Sequence, residues 1–563
     1  MKKLALFCTI LFVMFTIIVT FPGSGMVTTA EANTSGLYDP IIKVGLYYGN
    51  DALPSANLAN EIGSGYLFGF FDSQRSFWQT GWTAQEKITI NKDKNMYVLS
   101  GKYYDSLPPS GALTIGAYHI DSGTSFATFD EALAAAQALS ASTGIHAFPA
   151  YVRGEHRVRL GSYTSIEKAN EAAAKTGLQG ATGVGGSTTC YTVTITSTGE
   201  IIYEFDAGSE AFLAIQPTGA AYTETWFKGY RYAGAFEYRR NNGNDITVIN
   251  VLPVSEYTKG VLPYEMNANW HPEALKAQAV CAASYALSNR TKHRSLGFDV
   301  CNTTDCQVYL GRNAANANSD AAAEAVKGLV LTYNNKICST VYHSSNGGST
   351  ESAKNIWGTD YPYLQAVPDN FEDLAKANNG IWTYEYTSDE ITWILQTKGY
   401  DIGKVVDVYV DEYTPAGNVY RLAIIDSKGK KLTFEKSAAR TILNSSTLNK
   451  YTHSQRYTIS GGIRFNVNGG TDVIAAESYA IGKNNTVSRL SGRNDIYLIS
   501  SGGLSVLKRN TDSFIVSGRG WGHNVGMSQY GAKGMAERGY TFDQILSYYF
   551  TGAVVRPNSP DLS

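Results

Sequence analysis

Residues 113–144, LTIGAYHIDSGTSFATFDEALAAAQALSASTG, and residues 157–177, RVRLGSYTSIEKANEAAAKTG, are two versions of one pattern. In each, a strand-like segment carrying Gly116-Ala117-Tyr118 or Gly161-Ser162-Tyr163 precedes a capping box, Thr128-x-x-Glu131 or Thr164-x-x-Glu167. An Ala-rich helix follows and stops at a Thr-Gly pair, at Gly144 or Gly177. The box marks a helix start because Thr accepts from an otherwise orphaned N–H while Glu reaches back to the cap. Phe148–Val152 and His156–Leu160 read as strands, and with a closing strand around Cys190–Ile195 the order becomes β-α-β-β-α-β, the split βαβ arrangement. This gives one small domain over residues 113–195. Along its third strand Val158 and Leu160 share a face with His156, while Arg157 and Arg159 take the other. With both helices on one side, those arginines face either plain solvent or a ligand.

Outward from the repeat the texture is β-rich on both sides. Ile42, Val44 and Leu46 alternate with polar or small residues, as do Ile88 with Ile90 and Met96 with Val98. The pattern resumes at Ile201, Tyr203 and Phe205, then over Tyr230–Tyr238 and Ile246–Val251. The fold class is therefore α+β. Similar flanks point to an insertion of 113–195 into a unit made of residues 36–112 and 196–555; the alternative is three consecutive domains.

The 563 residues hold 47 basic and 49 acidic side chains, a net charge of −2, and only 17% are charged. Clustered Lys and Arg are what phosphate binding needs, so nucleic acid is excluded as the main partner. The abundance of Tyr (38) and Gly (55) fits a neutral, polar polymer such as glycan. Lys2 and Lys3, an apolar run from Leu4 to Phe21 and the sequence Ala30-Glu31-Ala32 read as a signal peptide over residues 1–32, placing the protein outside the cell or in its wall. The alternative is a retained anchor at the outer face of the membrane. The odd set Cys190, Cys281, Cys301, Cys306 and Cys338 in the mature chain is no disulfide framework.

The chemistry concentrates further on. Val261-Leu262-Pro263-Tyr264-Glu265-Met266 leads to Trp270-His271-Pro272-Glu273, which opens a helix with Pro at its first position and an acid complementing the dipole. Leu275, Ala279, Ala282 and Ala286 form one packing face of that helix. Glu265 lies outside it among apolar neighbours, an environment that raises a carboxyl pKa toward that of a general acid. Cys301 and Cys306, in a C-x4-C loop, offer half a zinc site or a local disulfide. Ser344-Ser345-Asn346-Gly347-Gly348 reads as a polar turn and lacks the G-x-S-x-G of a nucleophile elbow. Gly518–Gly534 holds six glycines among 17 residues, with His523 inside, but has no phosphate-loop order.

In order and wording these clusters resemble the SpoIID/LytB family over roughly residues 230–555, and the phrase Arg157–Tyr163 with its repeat resembles a SPOR domain. The first resemblance implies a lytic transglycosylase with Glu265 as its acid. It also implies substrate contacts at Tyr264, Trp270, Tyr285, Ser344, Ser345, Trp357, His523 and Gln529. The second implies glycan binding at Arg157 and Arg159. The expected partner is the glycan strand of peptidoglycan. Cleavage with one carboxylate fits a lytic route, because an intramolecular hydroxyl replaces the second carboxylate of ordinary glycosidases. No cofactor is required on this reading, although the resemblance carries a zinc site to Cys301 and Cys306. Two departures are visible: Cys281-Ala282-Ala283-Ser284 stands where relatives read Ala-Ala-Arg-Thr, and Asp305 stands where they place His. The LytB branch implies instead a non-catalytic enhancer acting with a cell-wall amidase, and a glycan-binding wall scaffold is a third reading.

Overall fold

The computed structural model describes residues 37–106, 110–219, 223–240, 243–461 and 513–562, with short backbone stretches between 464 and 508. The leader, residues 1–32, lies outside the described residues. The chain is mixed α and β and divides into two compact units, one over Leu46–Asn250 and one over Asn33–Gly45 with Val251–Ser563. The division differs from boundaries at 112/113 and 195/196. Its reason is that the strands of the 113–195 repeat continue into neighbouring strands of the first unit.

Those strands belong to one 10-stranded sheet. Helix α1 (Phe129–Thr143) is capped by Thr128, whose side chain accepts from the Glu131 N–H, and ends at Gly144 with φ 71°. Helix α2 (Ile166–Thr176) is capped by Ser165 instead of Thr164 and ends at Gly177 with φ 70°. The left-handed turn after each helix is where glycine costs least. Strands Tyr118–Phe126, Ala147–Val152 and Glu155–Tyr163 pair as the split βαβ arrangement requires. The closing strand, however, is Thr182–Gly185, antiparallel to Tyr118–Phe126. Tyr191–Ile195 instead pairs with Ile201–Asp206 and Lys87–Lys92. Two glycines hide the closing strand from a propensity reading. Gly183 is needed there, since a Cβ would stand 2.7 Å from Asn170 Oδ1.

The helices pack on one sheet face through Ile120, Ala132, Ala136, Ala147, Val158, Leu160 and Ala173. The other face is not open at both arginines. Arg159 is 5% exposed and bonds Asp121 Oδ2 at 2.5 Å, with Glu204 at 3.5 Å. Arg157 bonds the same Asp121 at 2.7 and 2.9 Å. Strand Ile201–Asp206, which pairs in parallel with Ala147–Val152, supplies the covering Glu204.

The second unit is built around helices α3 (Val254–Glu265) and α4 (Pro272–Ser288). Pro272 and Glu273 open α4 as the sequence predicts, with His271 Nδ1 accepting from the Glu273 N–H at 3.3 Å. Twelve of its 17 residues are buried, so α4 is a central helix wrapped on nearly all sides and not one with a single packing face. Around it lie helices Ala317–Ala325, Gln529–Ala536 and Phe542–Tyr549 and the paired strands Leu329–Tyr333 and Val554–Pro557. Ser284, in the phrase that departs from the family, is fully buried and accepts from the Leu331 N–H at 2.8 Å. A further core in this unit joins strands Ile381–Thr387, Val405–Tyr413, Val419–Asp426 and Ser513–Arg519 through Tyr386, Val405, Leu422, Phe514 and Val516.

Candidate active site

Glu265 is the last residue of α3, and its neighbours come from distant parts of the chain. The two-residue strand Tyr342–His343 pairs in parallel with Met527–Ser528. That pairing sets Tyr342 and Gln529 beside the carboxylate. Glu265 Oε1 accepts from the Val308 N–H at 3.2 Å, Oε2 accepts from Gln529 Nε2 at 3.5 Å, and Tyr342 hydrogen-bonds the same carboxyl. Tyr342 is fixed in turn: Gln307 Nε2 donates to its hydroxyl at 3.0 Å, and Gln307 Oε1 accepts from Tyr257 at 3.0 Å.

Burial pushes the Glu265 pKa above the usual carboxylate range, and the bonds from Tyr342, Val308 and Gln529 only partly oppose it. A carboxylate at a helix C-terminus also meets the negative end of the dipole, which again favours the protonated form. Among the described residues no second carboxylate or cation contributes to this shift. The carboxyl is therefore surrounded by neutral partners, in a setting that favours its protonated form.

The other residues singled out in the sequence fall into distinct places. Gln529 is 8% exposed and touches Glu265. Tyr264, beside Glu265 in α3, donates to the Leu310 carbonyl at 3.4 Å. Trp270 packs edge-on to Tyr530 at 4.9 Å between centroids. Ser344 uses its carbonyl to accept from the Tyr530 N–H at 3.0 Å. Ser345 is fully buried, and its hydroxyl accepts from the Trp521 N–H at 3.1 Å, so it holds the glycine-rich segment instead of facing a ligand. The turn that follows is pinned by Glu372, which accepts from the Asn346 and Gly347 N–H groups at 2.6 and 2.8 Å. Burial and the nearby Asp369 raise Glu372 to about 7. His523 is engaged at both ring nitrogens: Nδ1 accepts from the Val525 N–H at 3.1 Å, and a second bond goes to the Tyr342 backbone. Its ring lies 5.0 Å from that of Trp357, which is 43% exposed. Arg157 and Arg159 belong to the first unit.

The sequence reading missed Tyr342, Gln307 and the Val308 N–H. They form the hydrogen-bonded wall of the site, yet singly each looks like an ordinary buried residue.

A second cluster surrounds the C-x4-C loop. All described cysteines are free thiols, so the disulfide alternative for Cys301 and Cys306 is not realised here. His293, Cys301, Asp305 and Cys306 instead place four potential ligand atoms within 4.8 Å of one another. His293 Nε2 stands 3.3 Å from Cys306 Sγ and 3.4 Å from Asp305 Oδ2. Thiolate, imidazole and carboxylate are each donors that zinc takes, and four of them suffice for a tetrahedral shell. Asp305 thus lies at a potential ligand position, and His293, which no short motif flags, is the fourth potential donor. Tyr285 is 8% exposed and borders this loop, its hydroxyl 3.5 Å from the Asp305 carbonyl.

Residues 242–333 match the family model described as SpoIID, stage II sporulation protein. The amidase enhancer of Bacillus subtilis (strain 168) is 31% identical over 305 residues, covering 53% of this chain and 40% of its own length. The stage II sporulation protein D of the same organism is 28% identical over 320 residues, covering 54% of this chain and 74% of its own. That of Bacillus amyloliquefaciens is 26% identical over 331 residues, 56% and 76% of the two chains. The chain thus spans less than half the length of the amidase enhancer it matches. The matched segment contains α3, Glu265, α4 and the four potential metal ligands, so over residues 242–333 the chain is similar to the SpoIID family.

Proposed function

We propose that the protein is an exported lytic transglycosylase that cleaves the bond between N-acetylmuramic acid and N-acetylglucosamine in peptidoglycan glycan strands. The observation that carries this reading is a partly buried carboxyl at Glu265, with a pKa raised by burial and only neutral hydrogen-bonding partners. Hydrolysis by the usual two-carboxylate routes needs a nucleophile or a base opposite the acid. A lytic route needs one group used twice. Glu265 donates its proton to the glycosidic oxygen as the bond from that oxygen to the muramyl anomeric carbon breaks, releasing the glucosamine hydroxyl. The muramyl 6-hydroxyl oxygen then bonds to the anomeric carbon and gives its proton back to the Glu265 carboxylate, closing a 1,6-anhydro ring. Intramolecular attack supplies effective molarity in place of a bound nucleophile. Tyr342, the Val308 N–H and Gln529 stabilise the transient carboxylate between the two transfers.

His293, Cys301, Asp305 and Cys306 would hold a zinc ion. When bound, the ion would supply a cross-link across the loop that leads into Gln307 and Val308. No proton transfer above uses it. The leader, the repeat as a glycan-binding SPOR-like module with Arg157 at its rim, and a location in the wall belong to the same proposal. Asp121, Arg153, Arg157 and Thr182 line an open depression of about 540 Å³ there, which suits a polar strand.

A second reading rests on the relative named amidase enhancer. On that reading the protein stimulates a wall amidase and Glu265 is a binding residue. Incubation with glycan strands lacking peptides, followed by mass spectrometry, separates the two: 1,6-anhydromuramyl ends from the native chain and none from Glu265→Gln support the enzyme. Stimulation of an added amidase without such ends supports the enhancer.

A further inference from the structure

Strand Tyr342–His343 pairs with Met527–Ser528 over only two residues, and a pair that short needs ties beyond its own backbone. One carboxyl reaches both chain segments. Glu372 Oε1 accepts from the Asn346 N–H at 2.6 Å and from the Ser528 hydroxyl at 2.5 Å, while Oε2 accepts from the Gly347 N–H at 2.8 Å. Ser528 also caps helix Gln529–Ala536, its oxygen accepting from the Gly531 N–H at 3.0 Å. Its single proton has two acceptors within reach, Glu372 at 2.5 Å and the Ser344 carbonyl at 3.3 Å, and the shorter contact to a carboxylate is the stronger. The acid lies one step beyond each tie. Gln529 follows Ser528 and donates to Glu265 Oε2, and Tyr342, four residues before Asn346, hydrogen-bonds the same carboxyl.

The surroundings of Glu372 are mixed in charge. Asp369 lies in the same loop, its Oδ2 accepting from Asn346 Nδ2 at 2.7 Å and from the Tyr549 hydroxyl, on helix Phe542–Tyr549, at 2.6 Å. At Gly347, Arg519 Cβ and Arg456 Cδ would stand 2.7 and 3.0 Å from an added Cβ, and Arg456 donates to the Ala416 carbonyl at 2.8 Å. Arg538 donates to the Phe371 carbonyl, and Asp373 pairs with Lys376. Burial and Asp369 oppose the charged form of Glu372, whereas Arg456 is attracted to it. A carboxylate takes all three donors at once. A neutral carboxyl or an amide cannot, because one of its two terminal atoms must then donate. A proton on Oε1 turns Ser528 round and sends its hydrogen to the Ser344 carbonyl, so the tie across the strand pair changes with the charge on Glu372.

We propose that Glu372 is a positioning residue for the acid: as a carboxylate it fixes the Ser528 hydroxyl and the turn at Asn346 and Gly347, and through them holds Gln529 and Tyr342 against Glu265. The inference rests on the reading of Glu265 given above and adds a second carboxyl that acts only through its neighbours. The sign of the coupling follows. Gln529 and Tyr342 stabilise the Glu265 carboxylate, so an ionised Glu372 that keeps them in place makes Glu265 the stronger acid.

The test follows carboxyl 13C shifts against pH in the native chain and in two variants. Positioning predicts that Glu372→Gln, neutral at every pH, makes Glu265 a roughly 3- to 10-fold weaker acid, as weakened hydrogen bonding to its carboxylate requires. Plain repulsion between two carboxylates predicts the opposite, a stronger acid once the Glu372 charge is gone. Linkage makes the effect reciprocal, so in Glu265→Gln the Glu372 carboxyl should titrate higher than in the native chain by a similar factor. That second variant carries the test if Glu372→Gln does not fold. A Glu265 titration unmoved or moved downward in Glu372→Gln, or a Glu372 titration unmoved or moved downward in Glu265→Gln, overturns the positioning role and leaves Glu265 as the acid. On peptide-free glycan strands Glu372→Gln should turn over about 10-fold more slowly with KM little changed, because the misplaced group acts in the transition state. Unchanged turnover also overturns the positioning role. A native chain that makes no anhydro ends while both titrations move as expected overturns the glycan reading instead and supports the tie between Glu372 and Glu265.

Discussion

Replacing Tyr342 by Phe removes one oxygen and tests how the acid is held. That oxygen has two roles: it hydrogen-bonds Glu265, and it accepts from Gln307 Nε2 at 3.0 Å. Gln307 is 1% exposed, so its amide would have no water to turn to. Leaving one buried donor unsatisfied costs about 1–3 kcal/mol, and the Phe ring keeps the packing otherwise intact. The Tyr342→Phe variant should therefore unfold in less urea than the native chain, with an unaltered denaturant slope. The catalytic consequence has a sign. The Tyr342 bond lowers the Glu265 pKa by stabilising the carboxylate, whereas burial raises it. Without the hydroxyl the pKa rises further, the proton stays on Glu265 to higher pH, and the alkaline limb of the pH–rate profile for glycan cleavage moves upward. The rate at the optimum falls as well, because the carboxylate formed after the first proton transfer has lost a partner. The 13C shift of the Glu265 carboxyl, titrated in both proteins, reads the same change without turnover. A Tyr342→Phe protein with native stability and an unmoved titration would refute the claim that this hydroxyl tunes the acid.

Glu265→Gln should leave a folded protein that is more stable than the native chain near neutral pH. Because the folded pKa is raised, the ionised carboxylate costs stability once the pH exceeds the ordinary carboxylate range, and the advantage of Gln should shrink toward about pH 4, where both folded and unfolded carboxyls hold their protons. Urea midpoints that show no pH-dependent gap would contradict this. Purified protein should carry one zinc per chain by elemental analysis, lose it in Cys306→Ser, and melt earlier after chelation; a metal-free protein unaffected by chelator would remove the site formed by His293, Cys301, Asp305 and Cys306. Arg159→Ala should destabilise by about 3–5 kcal/mol, since it leaves Asp121 and Glu204 buried with less compensation, while Arg157→Ala, at the more exposed position, should cost less. Equal denaturation midpoints for the two variants would argue against that ranking.

Local signals carried much of the fold. The Thr128 cap, the stop at Gly144 and Pro272 at the start of α4 are short-range chemistry, and the structure contains each of them, although Glu131 accepts from the Ala127 N–H at 3.0 Å and so does not complete the expected capping box. The closing strand Thr182–Gly185 was not legible, because two of its four residues are glycines and its pairing partner lies some 60 residues earlier. The burial of Arg159 was hidden for a related reason: Glu204, which covers it, arrives on a strand that a self-contained domain would not include. At the site, Glu265 stood out through its neighbours and through resemblance. Tyr342 and Gln307 did not, since a tyrosine in a strand and a glutamine after a cysteine carry no short-range signature of a shared carboxylate. His293 was missed because the seven residues between it and Cys301 match no common zinc spacing, and the loop closes only in three dimensions.

Release of 1,6-anhydromuramyl ends tests the central claim most directly. Peptide-free glycan strands are incubated with the native chain and with Glu265→Gln, and the products are resolved by mass spectrometry. The account predicts anhydro ends from the native protein, with a loss of at least about 100-fold in the variant, as expected for removal of a general acid. Reducing ends without the anhydro ring, or anhydro products at comparable rates from both proteins, would contradict it.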